Sequence, residues 1–277
     1  MDYQEYPVPE TLRQHVACVW RLRDATPAGA VHTIYPDGRC ELLVHLLAPP
    51  RCWDPVSGWH RQAPSLFAAQ RVTAVRLAFT GPLDCIGLRL QPAASAAIAR
   101  QSLAESRDRI VDLAGIDRSL CRSLRAAARA FARGADAALW RLLLRRVACQ
   151  TLDPRIVTAA KRIELSAGKT RIDATARASG MSLRGFQTRF RAETGLTPKE
   201  FARLTRLQAT LRALDADHAS LAELAAEGGF ADQAHATREL LRATGLTPAR
   251  LRAELRRDRH SDAAVHLAAA FVRGHSR

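Results

Sequence analysis

Long apolar runs are missing from this sequence of 277 residues. The longest are about 6 residues, whereas a helix that spans a membrane needs roughly 20. The first ten residues, MDYQEYPVPE, contain acidic side chains and no apolar segment of the kind found in secretory signals. We therefore expect a cytoplasmic protein that has no membrane partner.

Patterns typical of metal, cofactor and catalytic sites are also missing. The cysteines form neither a C-x-x-C pair nor a zinc-ligand spacing; they are Cys18, Cys40, Cys52, Cys85, Cys121 and Cys149. There is no P-loop, glycine-rich nucleotide loop or Ser-His-Asp order. The early histidines, His15, His32, His45 and His60, are scattered. We expect free buried thiols and no metal, cofactor or catalytic residues, so the protein is predicted not to be an enzyme.

Acidic residues are scarce relative to basic ones. There are 42 Lys and Arg residues against 27 Asp and Glu residues, which gives a formal net charge of +15. Such a charge predicts attraction to nucleic acid or to an anionic membrane face. A composition rich in alanine and arginine without a specific partner explains it equally well, so charge alone does not decide the function.

The pattern of apolar and turn-forming residues changes near residue 91, which predicts an α+β protein. Before it, short β-forming runs at 16–20, 41–46 and 85–90 alternate with turns such as Pro36-Asp37-Gly38. After it, helical spacing predicts helices near 92–103, 118–132 and 136–150. Asp153-Pro154 then breaks the pattern. We predict a strand-rich domain with helices at 1–150, a helical domain at 151–259, and a tail at 260–277 without assigned structure.

The helical domain contains a duplication. Thr-Gly-Leu-Thr-Pro occurs at 194–198 and again at 244–248, and the flanking residues also correspond, because Phe190 matches Leu240. Each copy has the pattern of a helix-turn-helix unit, with a glycine turn between two short helices and a glycine after the second.

The capping residues place these helices. In the first unit, a helix at 172–179 is followed by Gly180, an N-cap at Ser182 and a second helix that ends at Gly195. In the second unit, Ser220 and Glu223 form a capping box, and Asp232 caps the helix that ends at Gly245. Between the units, Thr197-Pro198-Lys199-Glu200 opens a linking helix to about Leu214, with Leu204, Leu207 and Leu211 on one face. Such a helix of roughly 25 Å would hold two recognition helices about one DNA turn apart.

Over roughly residues 155–257, the sequence resembles the AraC/XylS family of transcription regulators. The motifs are Gly228–Arg238 with Gly245-Leu246-Thr247-Pro248 in the second unit. In the first unit they are Ala176, Gly180, Met181-Ser182, Phe190 and 193–198. The chain departs from the family where Ala234 and Ala236 replace the usual Ser and Phe, and where Thr188 replaces an Arg.

One face of each recognition helix is predicted to contact DNA. Phe186 and Phe190 in the first unit, and Leu240 and Leu241 in the second, are predicted to point into the core. Arg184, Gln187, Gln233 and Arg238 are the predicted base readers, since Arg pairs with guanine and Gln with adenine. The remaining predicted contacts are Thr188, Arg189, Arg191, Lys199, Arg203, Ala234, Thr237 and Arg242, of which Arg189, Lys199 and Arg203 are expected to meet phosphates.

The N-terminal domain carries shorter signals. Residues 35–43 and 87–92 resemble an N-terminal domain found in some regulators of this family, and such domains are often cupin-like barrels. Asp37, Arg39 and Glu41 would line a pocket there, although a well-formed turn explains them equally well.

The resemblance implies a sequence-specific regulator of transcription, controlled by a small-molecule effector or by dimerisation. Its partners would be double-stranded DNA, an effector, a second copy of the chain, and RNA polymerase if the output is activation. Two alternatives stay open: a DNA-repair or other enzyme fused to such a DNA-binding module, and a nucleoid-type DNA binder without ligand control.

Overall fold

The computed structural model describes residues 2–25, 31–99, 103–148, 150–216 and 220–260. Its strands are β1 (Asp2–Tyr6), β2 (Val16–Asp24), β3 (Val31–Ile34), β4 (Glu41–His45), β5 (Arg51–Asp54), β6 (Gly58–Arg61), β7 (Ser65–Ala68), β8 (Val75–Ala78), β9 (Leu83–Leu90) and β10 (Ile110–Asp112). Its helices are α1 (Ser95–Ala99), α2 (Leu103–Ser106), α3 (Leu113–Ile116), α4 (Arg118–Ala132), α5 (Ala137–Val147), α6 (Pro154–Leu165), α7 (Ile172–Ala178), α8 (Leu183–Thr194), α9 (Pro198–Ala216), α10 (Leu221–Glu227), α11 (Gln233–Thr244) and α12 (Pro248–His260). Cys149 and the predicted tail, apart from His260, lie outside the described residues.

The strands form two antiparallel sheets. The larger has the order β1-β2-β9-β4-β7-β10, and the smaller has the order β3-β8-β5-β6. Among the described residues they are two separate sheets and not one closed barrel. A strand-rich half followed by a helical half confirms the predicted α+β architecture.

Strand β9 shows why the larger sheet lies between two cores. Its side chains alternate between the two faces of the sheet. Leu83 and Cys85 join a cluster shared with the smaller sheet, and Ile86 and Leu88 join a cluster under the helices α4 and α5. The sheet is covered on both sides, which is why the strand reads as an almost continuous apolar run. Gly87 is required there because the Trp20 indole lies where a Cβ would stand, 2.1 Å away.

The predicted boundaries in the N-terminal half were only partly correct. The predicted helix at 92–103 is a 3-10 turn at Pro92–Ala94 followed by the short helix α1. The chain also returns to the larger sheet in β10, which pairs with β7 and has no signal in the periodicity. The predicted helix at 118–132 is confirmed as α4, and that at 136–150 is shorter, ending at Val147.

The cysteines in the described residues are free and buried. Burial raises the pKa of the Cys18 and Cys40 thiols to about 12 in each case. Both thiols are therefore protonated at neutral pH and act as small apolar side chains.

Candidate nucleic-acid interface

The first helix-turn-helix unit consists of α7, a turn at Gly180 and α8. Gly180 has a positive φ of 66°, and the Ser182 side chain accepts a hydrogen bond from Gly185 N at 3.2 Å. Helix α8 ends at Gly195, which has φ 77°. These caps confirm the elements that the sequence predicted.

Two phenylalanines hold α8 in place. Phe186 and Phe190 are fully buried, and their ring centroids lie 5.5 Å apart. Phe190 also packs against Phe201 of α9, with centroids 5.6 Å apart. The opposite face is free for a ligand, since Arg184, Gln187, Thr188, Arg189 and Arg191 are all exposed.

The second unit repeats this construction with α10 and α11. The Ser220–Glu223 capping box is present in both directions, and Asp232 accepts a hydrogen bond from His235 N at 2.6 Å. Gly229 supplies the positive φ of the turn, at 71°, and Gly245 ends α11 at 76°.

The exposed face of α11 differs from the prediction at one position. Leu240 is buried as predicted, but the prediction for Leu241 was wrong, because it is 46% exposed. The inward position is taken by Ala236, which is 1% exposed, so this small residue is accommodated in the core.

The predicted contact residues of α11 are brought to one side. Gln233, Ala234, Arg238 and Arg242 are exposed. Thr237 is half-buried, and its hydroxyl donates to Gln233 O at 2.9 Å. That bond directs the Thr237 side chain back to its own helix.

Helix α9 connects the two units and packs against both. It has 19 residues, a length of about 28 Å at the usual rise. Leu204, Leu207 and Leu211 are buried as predicted. Thr197 and Glu200 form the expected box, with Thr197 N donating to Glu200 at 2.9 Å and Glu200 N donating to Thr197 Oγ1 at 3.2 Å.

Several of the basic residues predicted to contact DNA form ion pairs with carboxylates of the protein. Arg189 contacts Glu193 at 2.7 Å and Asp153 at 3.5 Å. Glu239 lies 3.7 Å from Arg203 and also pairs with Arg242. Lys199, by contrast, is exposed at the start of α9. A phosphate would compete with carboxylates for Arg189 and Arg203.

The N-terminal half packs directly on the first unit and on α9. Ala93 and Tyr35 belong to the same apolar core as α6, α8 and α9. Polar contacts surround this junction: Arg39 with Glu164 at 2.6 Å, Arg107 with Glu200 at 2.7 Å, Gln208 Nε2 with Pro36 O at 2.9 Å, and Ala74 N with Ala243 O at 2.9 Å. The exposed faces of α8 and α11 are left uncovered by these contacts.

Between the two sheets lies a cavity that reaches the junction. It has a volume of about 100 Å³, its walls are mostly apolar, and Gln208 of α9 is part of its lining. Asp37, Arg39 and Glu41 line it too, so the turn residues that the sequence singled out do belong to a pocket. The Pro36-Asp37-Gly38 turn is confirmed, with Gly38 at φ 75° and Arg39 N donating to Asp37 at 2.9 Å.

A buried arginine supports the cavity wall. Arg89 is 2% exposed and lies 3.1 Å from Glu41 and 2.9 Å from Glu5. Burial is the largest single effect and would lower its pKa, but Glu41, Asp37 and other neighbours together outweigh burial, and the pKa of Arg89 is raised. Arg89 is therefore a permanent charge that holds Glu41 in position.

Gln70 and Gln208 were missed by the sequence reasoning. Gln70 contacts Gly195 and bonds with Cys40 Sγ at 2.9 Å, and Gln208 bonds with the Pro36 turn. Their sequence signal was weak: Gln70 follows a strand, and Gln208 is a polar residue on the apolar side of α9. Only the packing of two distant segments shows that both are interdomain residues.

Two family models match the chain. A helix-turn-helix domain matches residues 175–254, and a domain of unknown function (DUF6597) matches residues 4–112. No curated protein shows significant similarity to the chain.

Several solved structures show partial similarity to the chain. ToxT from Vibrio cholerae in its P21 crystal form has a TM-score of 0.46 at 7% identity, covering 84% of this chain and 97% of its own. The xylose-binding transcription activator XylR has a TM-score of 0.33 at 19% identity, covering 44% of this chain and 39% of its own. The AraC-like transcriptional activator CuxR has a TM-score of 0.30 at 14% identity, covering 69% and 76%.

The fold and the matched domain define a DNA-binding protein of the helix-turn-helix class. The helix-turn-helix match at residues 175–254 agrees with the resemblance of the repeated motifs to the AraC/XylS family. In the described ranges, no helix has the length and apolar character needed to cross a membrane.

Proposed function

We propose that α8 and α11 enter successive major grooves on one face of the DNA. The observation that supports this proposal is that both helices have an exposed face and that the single helix α9 connects their two units. Arg184 and Gln187 would read bases in one groove, and Gln233 and Arg238 in the next. Arg191, Arg242, Thr188, Ala234 and Thr237 extend these faces, while Arg189, Lys199 and Arg203 would contact phosphates.

The same proposal assigns the regulatory role to residues 1–150 and DNA binding to residues 151–259. A small molecule in the cavity between the sheets would control DNA binding, because Gln208 of α9 lines that cavity and holds the Pro36 turn. A change in the cavity would then alter the position of α9, the helix that sets the spacing of the two recognition helices. The proposal includes no catalytic step.

A comparison of specific and random DNA tests the first part of this proposal. The full-length protein selects sites from randomised duplexes, and its affinity for the best site is then compared with its affinity for random DNA. We expect a preference of at least about a thousandfold at physiological salt. A ratio near one would indicate a nucleoid-type binder instead.

A cavity variant tests the second part. Leu43 lines the cavity, and Leu43→Phe would fill part of it, whereas Leu43→Met keeps the volume. We expect the Phe variant to change operator affinity or to abolish its response to effector extracts, and the Met variant to behave as the wild type. Identical behaviour of the two variants would contradict control through this cavity.

A further inference from the structure

A short segment of the N-terminal half contacts the C-terminal ends of both recognition helices. This bridging segment, residues 70–74, lies between β7 and β8. At its start, the Gln70 side chain lies against Gly195, the residue that ends α8. At its end, Ala74 N donates a hydrogen bond of 2.9 Å to Ala243 O in the last turn of α11. The segment therefore joins two helices whose units α9 also connects.

The bridging segment restricts the two helix ends in different ways. The last four carbonyls of a helix have no partner within that helix, and the bond from Ala74 N satisfies one of them in α11. At α8 the contact is steric, because the amide of Gln70 fills the space where a Cβ on Gly195 would stand. Val72 and Ala74 also pack against the apolar core of the DNA-binding half. Each recognition helix is thus held at its C-terminal end.

Asp108 holds the bridging segment in place. Its Oδ1 accepts a hydrogen bond from Val72 N at 2.8 Å, and its N donates to Gln70 O at 3.1 Å. Its backbone carbonyl also accepts a hydrogen bond from the Arg71 guanidinium. Asp108 has a positive φ of 59°, which is uncommon for a residue with a side chain. Its hydrogen bonds therefore fix consecutive residues of the segment from one position.

The bridging segment also belongs to the wall of the cavity between the sheets. Arg71 and Thr73 line that cavity, whereas their neighbours Gln70, Val72 and Ala74 contact the DNA-binding half. A movement of this part of the wall would therefore reach both recognition helices through one segment, in parallel with α9.

We propose that the bridging segment positions α8 and α11 relative to each other and thereby sets the spacing that the protein accepts between its two half-sites on DNA. Gln70 and Ala74 are the positioning residues, and Asp108 keeps them in place. This inference rests on the proposed binding of two successive major grooves and specifies what fixes their separation. One inserted base pair rotates a half-site by about a tenth of a turn, so helices held in this way should discriminate against it.

Duplexes with altered spacing test this proposal. The best site selected by the full-length wild type is changed by inserting or deleting one base pair between its half-sites, and affinities are measured by fluorescence anisotropy. We expect the wild type to bind the original spacing at least about tenfold more tightly than either altered duplex. Asp108→Gly removes the acceptor of Val72 N and suits the positive φ. This variant should lose most of the spacing preference and keep the base preference within each half-site.

A matched variant and a second disruption accompany this measurement. Asp108→Asn keeps an acceptor at the same position, and Asn tolerates a positive φ, so this variant should retain the wild-type spacing preference. Ala74→Pro removes the N–H that bonds with Ala243 O, and it should lose spacing preference as Asp108→Gly does. Melting curves without DNA show that each variant is folded.

The results distinguish the bridging segment from α9. If folded Asp108→Gly and Ala74→Pro keep the wild-type ratio between original and altered spacing, even with weaker binding to all duplexes, α9 sets the spacing and the proposal is overturned. If the wild type itself binds all the spacings equally, the two-groove account fails together with this proposal. Failure of the proposed function is therefore seen in the wild type, and failure of the bridging segment alone is seen only in the variants.

Discussion

Gly195 lies directly against the side-chain amide of Gln70. A Cβ built on Gly195 would stand 1.4 Å from Gln70 Nε2 and 2.8 Å from Leu103 Cβ. Gly245 occupies the same position in the second unit with nearly the same φ, 76° against 77°, yet a Cβ there would meet nothing within 4 Å. Among the described residues, Gly195 therefore packs against the N-terminal half in a way that Gly245 does not.

This asymmetry predicts different costs for the same substitution. Gly245→Ala should lower the free energy of unfolding by about 1–2 kcal/mol through left-handed backbone strain alone. Gly195→Ala should cost about 1–3 kcal/mol more, because it also displaces Gln70. Urea denaturation of both variants measures the difference. Adding Gln70→Ala to each should recover stability only in the Gly195 variant, and equal losses in the two single variants would contradict the docking described here.

The neutral state of His45 predicts a pH dependence of stability. Burial lowers its pKa from 6.5 to about 4, so between these values the unfolded chain binds a proton that the folded chain excludes. Stability should be fully present above pH 6.5 and decline as the pH falls towards 4, by on the order of 2–3 kcal/mol. His45→Phe should flatten this part of the wild-type curve. A slope that is the same in both proteins would show that His45 accepts a proton in the folded state.

Asp153 predicts a second dependence at lower pH. It caps α6 and contacts Arg155 and Arg189, and the hydrogen bond from Arg155 is the main cause that lowers its pKa to about 2. Its contribution should be present above the unfolded value of 3.8 and be lost as the pH falls towards 2. In Asp153→Asn the cap is kept, so the loss of stability between pH 4.5 and 3 should be less steep than in the wild type.

A matched substitution serves as the control for Asp153. Asp232 caps α11 through His235 N, and no arginine forms an ion pair with it among the residues that the structure describes. Asp232→Asn should therefore leave the slope between pH 4.5 and 3 close to that of the wild type. A wild-type slope in Asp153→Asn would contradict an ionic role for that carboxylate.

Lys199 should contribute to affinity without contributing to sequence preference. It is exposed at the start of α9, where a phosphate can reach it. Lys199→Ala should weaken binding to all sequences by a similar factor and reduce the slope of log K against log salt by about 0.9. Fluorescence anisotropy titrations on operator and random duplexes at several salt concentrations measure both effects. A loss confined to the operator would instead identify Lys199 as a base reader.

The sequence predicted the helical half far better than the strand-rich half. Caps such as Ser182 and Asp232 are local signals, because each acts within its own turn, and both appear where predicted. Strand β10 could not be predicted, since its pairing with β7 joins residues about forty positions apart and depends on the whole sheet. The exposure of Leu241 was missed because the neighbouring Leu240 and Ala236 already fill the core.

In the candidate interface and the cavity, too, local features could be predicted from the sequence and long-range contacts could not. The exposed faces of α8 and α11 follow from helical periodicity, with Phe186 and Phe190 marking the buried side. The cavity could not be predicted in this way. Asp37 belongs to a local turn, whereas Gln208 lines the same cavity from 171 positions further along the chain. Such long-range contacts depend on how the two halves pack.

Binding-site selection with Arg184→Ala and Arg238→Ala tests the two-groove account most directly. Both arginines are exposed on recognition helices that α9 holds apart. Each variant should lose about 1–3 kcal/mol on the best operator and relax the preference at one or two base pairs. The positions relaxed by the two variants should lie about 10 base pairs apart, with Lys199→Ala relaxing neither. If Arg184→Ala and Arg238→Ala relax the same base pairs, or none, the account is contradicted.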